Sequence, residues 1–200
     1  MTHFILFSVF GYLLGSLSSA IIVCKLMGLP DPRTQGSKNP GATNVMRIGG
    51  KKAAYTTFAG DFLKGLLPVL IAKFTIDSNV YGDTAIAGAA LGAFLGHLYP
   101  LYFNFKGGKG VATLVGVLIG ISFKIFLVFG VVWLAILFST GYVSLGSMVG
   151  AVVVATAAVI FYSKVIAGAL MMLAVLVIYR HKENIHRLKN GTESSFKKKK

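Results

Sequence analysis

Six long apolar segments set the limits on what this chain can fold into. They are Phe4–Met27, Ala53–Phe74, Ala85–Phe103, Val111–Ser139, Val143–Phe161 and Val165–Tyr179. A helix needs about 20 apolar residues to cross the hydrocarbon of a bilayer. Because 55% of the 200 residues are hydrophobic and 13% are charged, a water-soluble domain would lack the polar surface to cover its core. The sequence therefore predicts an all-α, polytopic membrane protein.

The fourth segment, Val111–Ser139, is long for one span and contains Lys124. It forms either one long helix or two helices that turn near Ser122–Ile125. Two helices give seven spans and place nearly all Lys and Arg residues on one side, with only Lys73, Lys124 and Lys164 on the other. The positive-inside rule makes the basic side cytoplasmic. We therefore predict seven transmembrane helices, with the N-terminus outside and the C-terminus in the cytoplasm.

Under this topology, residues 1–200 form a single integral membrane domain whose polar segments meet at the cytoplasmic face. These segments are the loops at about 28–52, 104–110 and 139–147 and the tail 180–200. They are rich in hydrogen-bond donors and cations and poor in carboxylates. Such a set of groups suits the binding of phosphate, and it argues against a divalent metal held by carboxylates. We predict no metal and no cofactor, and nucleic acid is not an expected partner.

Two short glycine-containing loops have the composition of phosphate cradles. The first glycine loop is residues 36–44 (GSKNPGATN), and the second glycine loop is residues 106–110 (KGGKG). Glycine lets consecutive backbone N–H groups converge on an anion, and the Ser, Thr, Asn and Lys side chains add donors and positive charge. Neither loop has the spacing of a Walker A motif, which disfavours nucleotide hydrolysis.

Glycines recur every four residues in the third apolar segment, at Gly88, Gly92 and Gly96. In membrane helices this spacing allows two backbones to approach closely. We interpret these glycines as a helix-packing surface.

Three polar side chains lie within or near the end of apolar segments. His97 precedes the second glycine loop. Two interpretations stay open: it orients substrate or shuttles a proton near neutral pH, or it hydrogen-bonds a neighbouring helix. Asp61 and Lys64 are three residues apart on one helix face. Since a lone charge costs about 2.5–3.5 kcal/mol at the centre of a membrane helix, we favour an ion pair that braces the bundle over direct catalysis.

Several chemistries are excluded by residues that the sequence lacks. No Asp lies five positions after any of the four histidines, so the His-Asp dyad of one class of acyltransferases is absent. Six scattered acidic residues cannot supply the metal site of the lipid alcohol phosphotransferases. A transporter of a phosphorylated solute and a noncatalytic scaffold are the competing classes. An odd number of spans, with polar groups at one face, weighs against a transporter, and a scaffold would need neither glycine loop.

Six stretches, in the order and spacing of one family, carry a resemblance that covers nearly the whole chain. They are Gly11–Ser19, Gly36–Arg47, Asp61–Gly65, Gly96–Thr113, Tyr142–Ser147, and Tyr179–Leu188 with Gly191. In these residues the chain resembles the bacterial acyl-phosphate:glycerol-3-phosphate acyltransferases, which are integral membrane enzymes of phospholipid synthesis.

The resemblance implies a seven-helix fold and transfer of a fatty acyl group from acyl phosphate to glycerol 3-phosphate. The products would be lysophosphatidic acid (1-acyl-glycerol 3-phosphate) and phosphate, and acyl-CoA is not an expected donor. The implied setting is the inner cell membrane, with several spans and an active site facing the cytoplasm. The implied partner is the peripheral enzyme that makes acyl phosphate.

The resemblance also assigns residues to substrates. The phosphate of the acyl donor would be held by Ser37, Asn39, Gly41, Ala42, Thr43 and Asn44. Glycerol 3-phosphate would be held by Arg47, Lys106, Ser144, His181 and Asn184, of which Lys106, His181 and Asn184 are the expected catalytic residues. The second cradle would be shaped by Gly107, Gly108, Lys109 and Gly110. A substrate phosphate oxygen is the expected proton acceptor, with His181 orienting the substrate; His181 as the base is the alternative.

Overall fold

A computed structural model describes residues 1–77 and 82–197, and no strand occurs in these two ranges. Their helices are α1 (Thr2–Gly15), α2 (Ser19–Leu26), α3 (Ala42–Thr75), α4 (Asp83–Leu98), α5 (Val111–Ile121), α6 (Phe123–Thr140), α7 (Val143–Phe161), α8 (Lys164–Arg180) and α9 (Lys182–Lys189). A short 3-10 helix, Leu101–Phe103, follows α4. The predicted all-α class is confirmed.

The chain divides into two compact units, an N-terminal unit (Met1–Ile121) and a C-terminal unit (Ser122–Lys200). The boundary falls in the fourth apolar segment, where Ser122 has an extended conformation (φ −164°, ψ 130°) between α5 and α6. The segment therefore forms two helices, as predicted from the distribution of Lys and Arg residues.

In the N-terminal unit, α1 and α4 pack through glycines. A Cβ atom on Gly92 would overlap the carbonyl oxygen of Ser8, and one on Gly96 would overlap that of Tyr12. Gly88 meets the carbonyl of Phe4 in the same way. The predicted helix-packing surface is confirmed, and larger side chains at these positions would separate the two helices.

Helix α3 begins earlier than the sequence indicated, since residues 42–49 of the predicted loop 28–52 are helical. The helix kinks at Gly50, whose φ of 74° and ψ of −168° interrupt the helical conformation. Only glycine adopts this backbone conformation without strain. The loop is therefore shorter than predicted, and Arg47 lies on a helix just before the kink.

In the C-terminal unit, α6 ends at Gly141, which has a left-handed φ of 81° and donates its N–H to the Leu137 carbonyl at 2.8 Å. This glycine cap allows α7 to begin at Val143, after a two-residue connection. Ser144 and Ser147 consequently lie in the first two turns of α7, which corrects the prediction of a polar loop over 139–147. Part of the predicted tail 180–200 is also helical, since it contains α9.

Among the described residues, four helical segments are long and apolar enough to cross a membrane: Thr2–Leu26, Asp83–Phe103, Phe123–Thr140 and Val143–Phe161. A fifth is added if α8 and α9, bent by 57°, count as one span. The other two of the seven predicted spans, α3 and α5, do not meet this criterion of length and apolar character. Helix α3 carries internal charges, and α5 has 11 residues. The seven spans and the orientation of the termini stay predictions.

Candidate active site

Asn44 holds the first glycine loop in shape. Its Oδ1 accepts a hydrogen bond from the Ser37 N–H at 2.9 Å, and its Nδ2 donates to the carbonyls of Pro32 and Gln35, both at 2.9 Å. The side chain is 1% exposed. Asn44 was predicted to bind the acyl donor's phosphate. In the structure its amide binds backbone groups of Pro32, Gln35 and Ser37.

The loop backbone has two residues with positive φ, Gly36 at 58° and Lys38 at 55°. A Cβ atom on Gly36 would overlap the Asn44 amide oxygen, so this position needs glycine. Gly41 is the N-cap of α3, so the last three residues of the first glycine loop, 42–44, form the start of the helix. The first N–H groups of a helix have no acceptor within the helix, and the helix dipole favours an anion there. Ala42 and Thr43 therefore occupy the part of the loop best suited to a phosphate.

The second glycine loop packs against the first loop and against the end of α4. The Gly108 N–H donates to the His97 carbonyl at 3.2 Å. A Cβ atom on Gly108 would overlap the His97 imidazole at Nε2 and would lie 3.0 Å from the Pro40 carbonyl oxygen of the first loop. Gly110 has a φ of 85°, and its Cβ would overlap the Phe94 ring. The structure thus brings the two glycine loops together within the N-terminal unit.

An ion pair that was not predicted from the sequence connects the first polar segment to the 3-10 helix that precedes the second glycine loop. The Arg33 guanidinium binds the Asp31 carboxylate through Nε and Nη2, and Nη2 lies 2.6 Å from Oδ2. Its Nη1 donates to the Phe103 carbonyl at 3.2 Å. Hydrogen bonding to Arg33 holds the pKa of Asp31 below its usual range.

The remaining predicted ligands of the N-terminal unit differ in exposure. Ser37, Thr43, Arg47 and Lys106 are exposed, Asn39, Gly41, Ala42 and Lys109 are half-buried, and Gly107, Gly108 and Gly110 are buried. The exposed groups lie at the surface of the two loops, and the three glycines lie beneath that surface.

Asp61, Lys64 and His97 form a buried charged cluster in the N-terminal unit. The Lys64 Nζ lies 3.0 Å from Asp61 Oδ1 and donates to the Leu17 carbonyl at 2.7 Å. His97 Nδ1 lies 3.6 Å from the same Asp61 oxygen. The predicted Asp61–Lys64 pair is confirmed, and His97 joins it.

In the C-terminal unit, Glu193 collects three hydrogen bonds. Its Oε1 accepts from Ser144 Oγ and from Asn184 Nδ2, both at 2.6 Å, and its Oε2 accepts from Arg187 Nε at 2.7 Å. Burial alone would raise the pKa of this carboxyl, but the donors outweigh it and hold the pKa below its usual range. No role for Glu193 was predicted from the sequence. The sequence signal that could have identified this residue is an acidic side chain in a tail otherwise rich in Lys and Arg.

His181 lies between α8 and α9 and is 3% exposed. Its Nδ1 lies 2.7 Å from the Val177 carbonyl oxygen. Because a carbonyl oxygen only accepts, Nδ1 carries the hydrogen, and in the neutral imidazole the proton acceptor is then Nε2. The contact with Val177 thus sets the tautomer of the neutral imidazole.

Comparison with known proteins agrees with this arrangement of helices and loops. The sequence model of the family "Glycerol-3-phosphate acyltransferase" matches residues 5–191. A glycerol-3-phosphate acyltransferase of Francisella tularensis subsp. holarctica is 49% identical over 195 residues, which cover 96% of this chain and 93% of the relative. One of Coxiella burnetii is 47% identical over 194 residues, which cover 97% of this chain and 98% of the relative.

Two crystal structures of PlsY, an integral membrane glycerol 3-phosphate acyltransferase, have the same fold. The glycerol 3-phosphate form matches with a TM-score of 0.89 at 40% identity and covers 96% of this chain and 95% of that chain. The lysophosphatidic acid form matches with a TM-score of 0.86 at 38% identity and covers 96% of this chain and 94% of that chain. The chain belongs to the glycerol-3-phosphate acyltransferase family, and it is an integral membrane acyltransferase.

Proposed function

We propose that this protein transfers a fatty acyl group from acyl phosphate to glycerol 3-phosphate. The 1-hydroxyl oxygen of glycerol 3-phosphate attacks the acyl carbon, and the bond from that carbon to the phosphate oxygen breaks. The products are 1-acyl-sn-glycerol 3-phosphate, which is lysophosphatidic acid, and inorganic phosphate. The forms in which the PlsY structures were solved support this acceptor and this product.

The observation that carries the proposal is the packing of the two glycine loops against each other, at Gly108 and Pro40. A reaction between two phosphorylated substrates needs two anion sites. Acyl phosphate is a mixed anhydride with a stable leaving group, so alignment and anion binding suffice and a strong acid is unnecessary. This chemistry fits loops that offer N–H groups, hydroxyls and Lys but few carboxylates.

We assign the acyl donor's phosphate to the first glycine loop, through Ser37, Asn39, Gly41, Ala42 and Thr43. Asn44, the remaining residue predicted for this site, acts by holding the loop. Glycerol 3-phosphate is assigned to Arg47, Lys106, Ser144, His181 and Asn184. The second glycine loop, with Gly107, Gly108, Lys109 and Gly110, supports Lys106.

The proton of the attacking hydroxyl passes to a phosphate oxygen of a substrate, and His181 orients the acceptor. The His181 Nδ1 bond to Val177 fixes the imidazole for this role. A pH–rate profile of His181→Ala tests the assignment: reduced activity with an unchanged basic limb is expected. Near-total loss together with loss of the basic limb would identify His181 as the base instead.

The proposed topology has seven spans, an outside N-terminus, and a cytoplasmic active site in the inner membrane. The distribution of Lys and Arg supports it. Replacement of the single cysteine by Cys24→Ser, followed by Thr34→Cys or Asn190→Cys, allows labelling from each side. Labelling of both positions in inside-out vesicles and of neither in intact spheroplasts is expected. Labelling of the two positions from opposite sides would refute the topology.

Purified protein in detergent, with no sealed compartment, tests the reaction itself. Given palmitoyl phosphate and glycerol 3-phosphate, it should form lysophosphatidic acid, detected by mass spectrometry, and palmitoyl-CoA should not replace the donor. A peripheral enzyme that makes acyl phosphate would then be the functional partner. Lys106→Ala should reduce turnover severely, whereas a transporter or scaffold would yield no product even in the parent protein.

A further inference from the structure

The proposed function leaves the buried cluster of Asp61, Lys64 and His97 without a role in the reaction. Their exposed fractions are 2%, 7% and 5%. Charged groups at membrane depth are costly and are retained where they serve a purpose. A brace between α3 and the connection from α1 to α2 accounts for Lys64, which reaches the Leu17 carbonyl. It does not account for His97.

His97 contacts the second glycine loop through both its backbone and its ring. Its carbonyl accepts the Gly108 N–H at 3.2 Å, and a Cβ atom on Gly107 would overlap the same carbonyl. The imidazole atoms Nε2 and Cε1 lie against Gly108, where an added Cβ atom would overlap Nε2. The ring therefore sits between the Asp61 carboxylate and the loop backbone.

Asp61 also contacts the segment that follows the second glycine loop. Its backbone carbonyl accepts a hydrogen bond from Thr113 Oγ1 at 3.0 Å, in the first turn of α5. One turn further along α3, a Cβ atom on Gly65 would overlap the Thr113 carbonyl. The Asp61–Gly65 stretch thus borders the loop at both ends, through His97 before it and Thr113 after it.

We propose that Asp61 is a positioning residue for the second glycine loop, acting through His97, and that the pair sets the loop's affinity for glycerol 3-phosphate. The proposal rests on the proposed function, which assigns that loop and Lys106 to this substrate. The Asp61 carboxylate, 3.6 Å from Nδ1, attracts this edge of the imidazole electrostatically and so favours one orientation of the ring. The ring edge at Nε2 then fixes Gly108, and with it the backbone next to Lys106.

Asp61→Asn removes the charge that orients His97 while keeping the size of the side chain. The dissociation constant for glycerol 3-phosphate, measured by titration calorimetry on the full chain in detergent, should rise by about tenfold. His97→Ala should weaken binding at least as much. Lys73→Gln is the matched control: Lys73 is another lysine of α3, it donates to the Gly120 and Ile121 carbonyls, and its loss should leave the dissociation constant unchanged.

The double variant Asp61→Asn/His97→Ala separates positioning from general destabilisation. If Asp61 acts through His97, this variant should bind glycerol 3-phosphate as His97→Ala does, within about twofold, because the carboxylate has no ring left to orient. Fold-changes that multiply in the double variant would overturn the proposal. So would an unchanged dissociation constant in Asp61→Asn.

Loss of folding is checked with Asp61→Asn/Lys64→Gln, which leaves no unpaired lysine in the cluster. This variant should regain the parent's elution volume and thermal midpoint while keeping the weakened binding of Asp61→Asn. Regained binding would show that Asp61 only neutralises Lys64, and would refute the proposal.

Conservative variants of His97 add a second readout. His97→Gln can place an amide near the position of Nε2, and His97→Asn near that of Nδ1. Binding should be recovered in part by Gln and not by Asn, and equal recovery would count against contact with Gly108.

Failure of the proposed function is distinguishable from failure of this proposal. A parent protein that binds glycerol 3-phosphate but makes no product from acyl phosphate would refute the proposed donor alone, since the binding measurements do not involve the donor.

Discussion

Glu193 accepts a hydrogen bond from Ser144 at 2.6 Å, across 49 positions of the sequence. The same carboxylate oxygen accepts from Asn184, also at 2.6 Å. Two residues that the sequence analysis assigned to glycerol 3-phosphate are therefore held by one buried anion. Through these two hydrogen bonds the carboxylate holds the segment after α9 against α7 and fixes the positions of the Ser144 and Asn184 side chains.

Replacement of Glu193 by Gln should destabilise the C-terminal unit and reduce activity. Gln offers one carbonyl oxygen where the carboxylate serves three donors, and it leaves Arg187 without its counter-charge. Loss of hydrogen bonds to a charged group costs about 1.5–3 kcal/mol. The single tryptophan, Trp133, lies in α6 and its Nε1 donates to Ser147 at 3.3 Å, so its fluorescence reports thermal unfolding of this unit.

Glu183→Gln is the matched control for that variant, because Glu183 is an exposed acid of α9. It should unfold at the parent's temperature and retain activity. Equal effects of the two substitutions would show that net charge, and not the Glu193 hydrogen bonds, sets the stability of the unit.

The low pKa of Glu193 predicts acid sensitivity of the same unit. Burial opposes ionisation, but the hydrogen bonds from Ser144, Asn184 and Arg187 hold the folded-state pKa below the ordinary glutamate value, which is about 4.3 in an unfolded chain. The stabilisation is therefore complete above about pH 5.5 and is lost progressively as the pH falls below about 4.5. The midpoint reported by Trp133 should fall more steeply with acid in the parent than in Glu193→Gln. Parallel curves would contradict this account.

The correct predictions came from patterns that are visible along the chain. Hydropathy and length indicated membrane helices, the distribution of Lys and Arg indicated the break that the structure places at Ser122, and residue spacing indicated the Asp61–Lys64 pair. The role of Glu193 depends on the segment after α9 folding back, and the early start of α3 depends on a kink that only Gly50 permits. Neither is encoded in a periodic pattern, so both required the structure.

Asn44 shows the same limit within a motif. An Asn in a glycine-rich loop is equally suited to donate to a phosphate or to the loop's own backbone. Only the distances to Ser37, Pro32 and Gln35 decide between these uses. The composition of the loop was therefore informative about phosphate binding in general, but not about which side chain builds the cradle.

Asn44→Ala should loosen the first glycine loop and the helices beneath it. It removes three hydrogen bonds to backbone groups, at a net cost of about 1 kcal/mol each. Cys24, the single cysteine, is 1% exposed and packs in a buried cluster with Val45, so its reaction with a thiol reagent reports opening of this region. Faster labelling of Cys24 and a raised KM for acyl phosphate are expected.

Gln35→Ala is the control for the loop, because it keeps the backbone carbonyl that Asn44 binds and removes only an exposed side chain. Its Cys24 labelling should match the parent's. If Asn44→Ala labels no faster than Gln35→Ala, the hydrogen bonds of Asn44 do not hold the loop, and its amide is available to the substrate phosphate as the sequence first indicated.

Arg33→Lys tests the tie between the first polar segment and the second glycine loop. A guanidinium binds the Asp31 carboxylate and the Phe103 carbonyl at once, whereas an ammonium group lacks the fork that reaches both. The Phe103 carbonyl also accepts the Lys106 N–H at 3.3 Å, so its displacement moves the backbone of a proposed catalytic residue. Because the pair is about a third exposed, the loss of stability should be small, about 1 kcal/mol or less. In Arg33→Lys, hydrogen exchange of residues 103–110 should accelerate and the KM for glycerol 3-phosphate should rise. Lys51 is an exposed cation of α3, and the control variant Lys51→Gln should change neither quantity. Unchanged exchange in Arg33→Lys would mean that the Asp31–Arg33 pair does not order the loop.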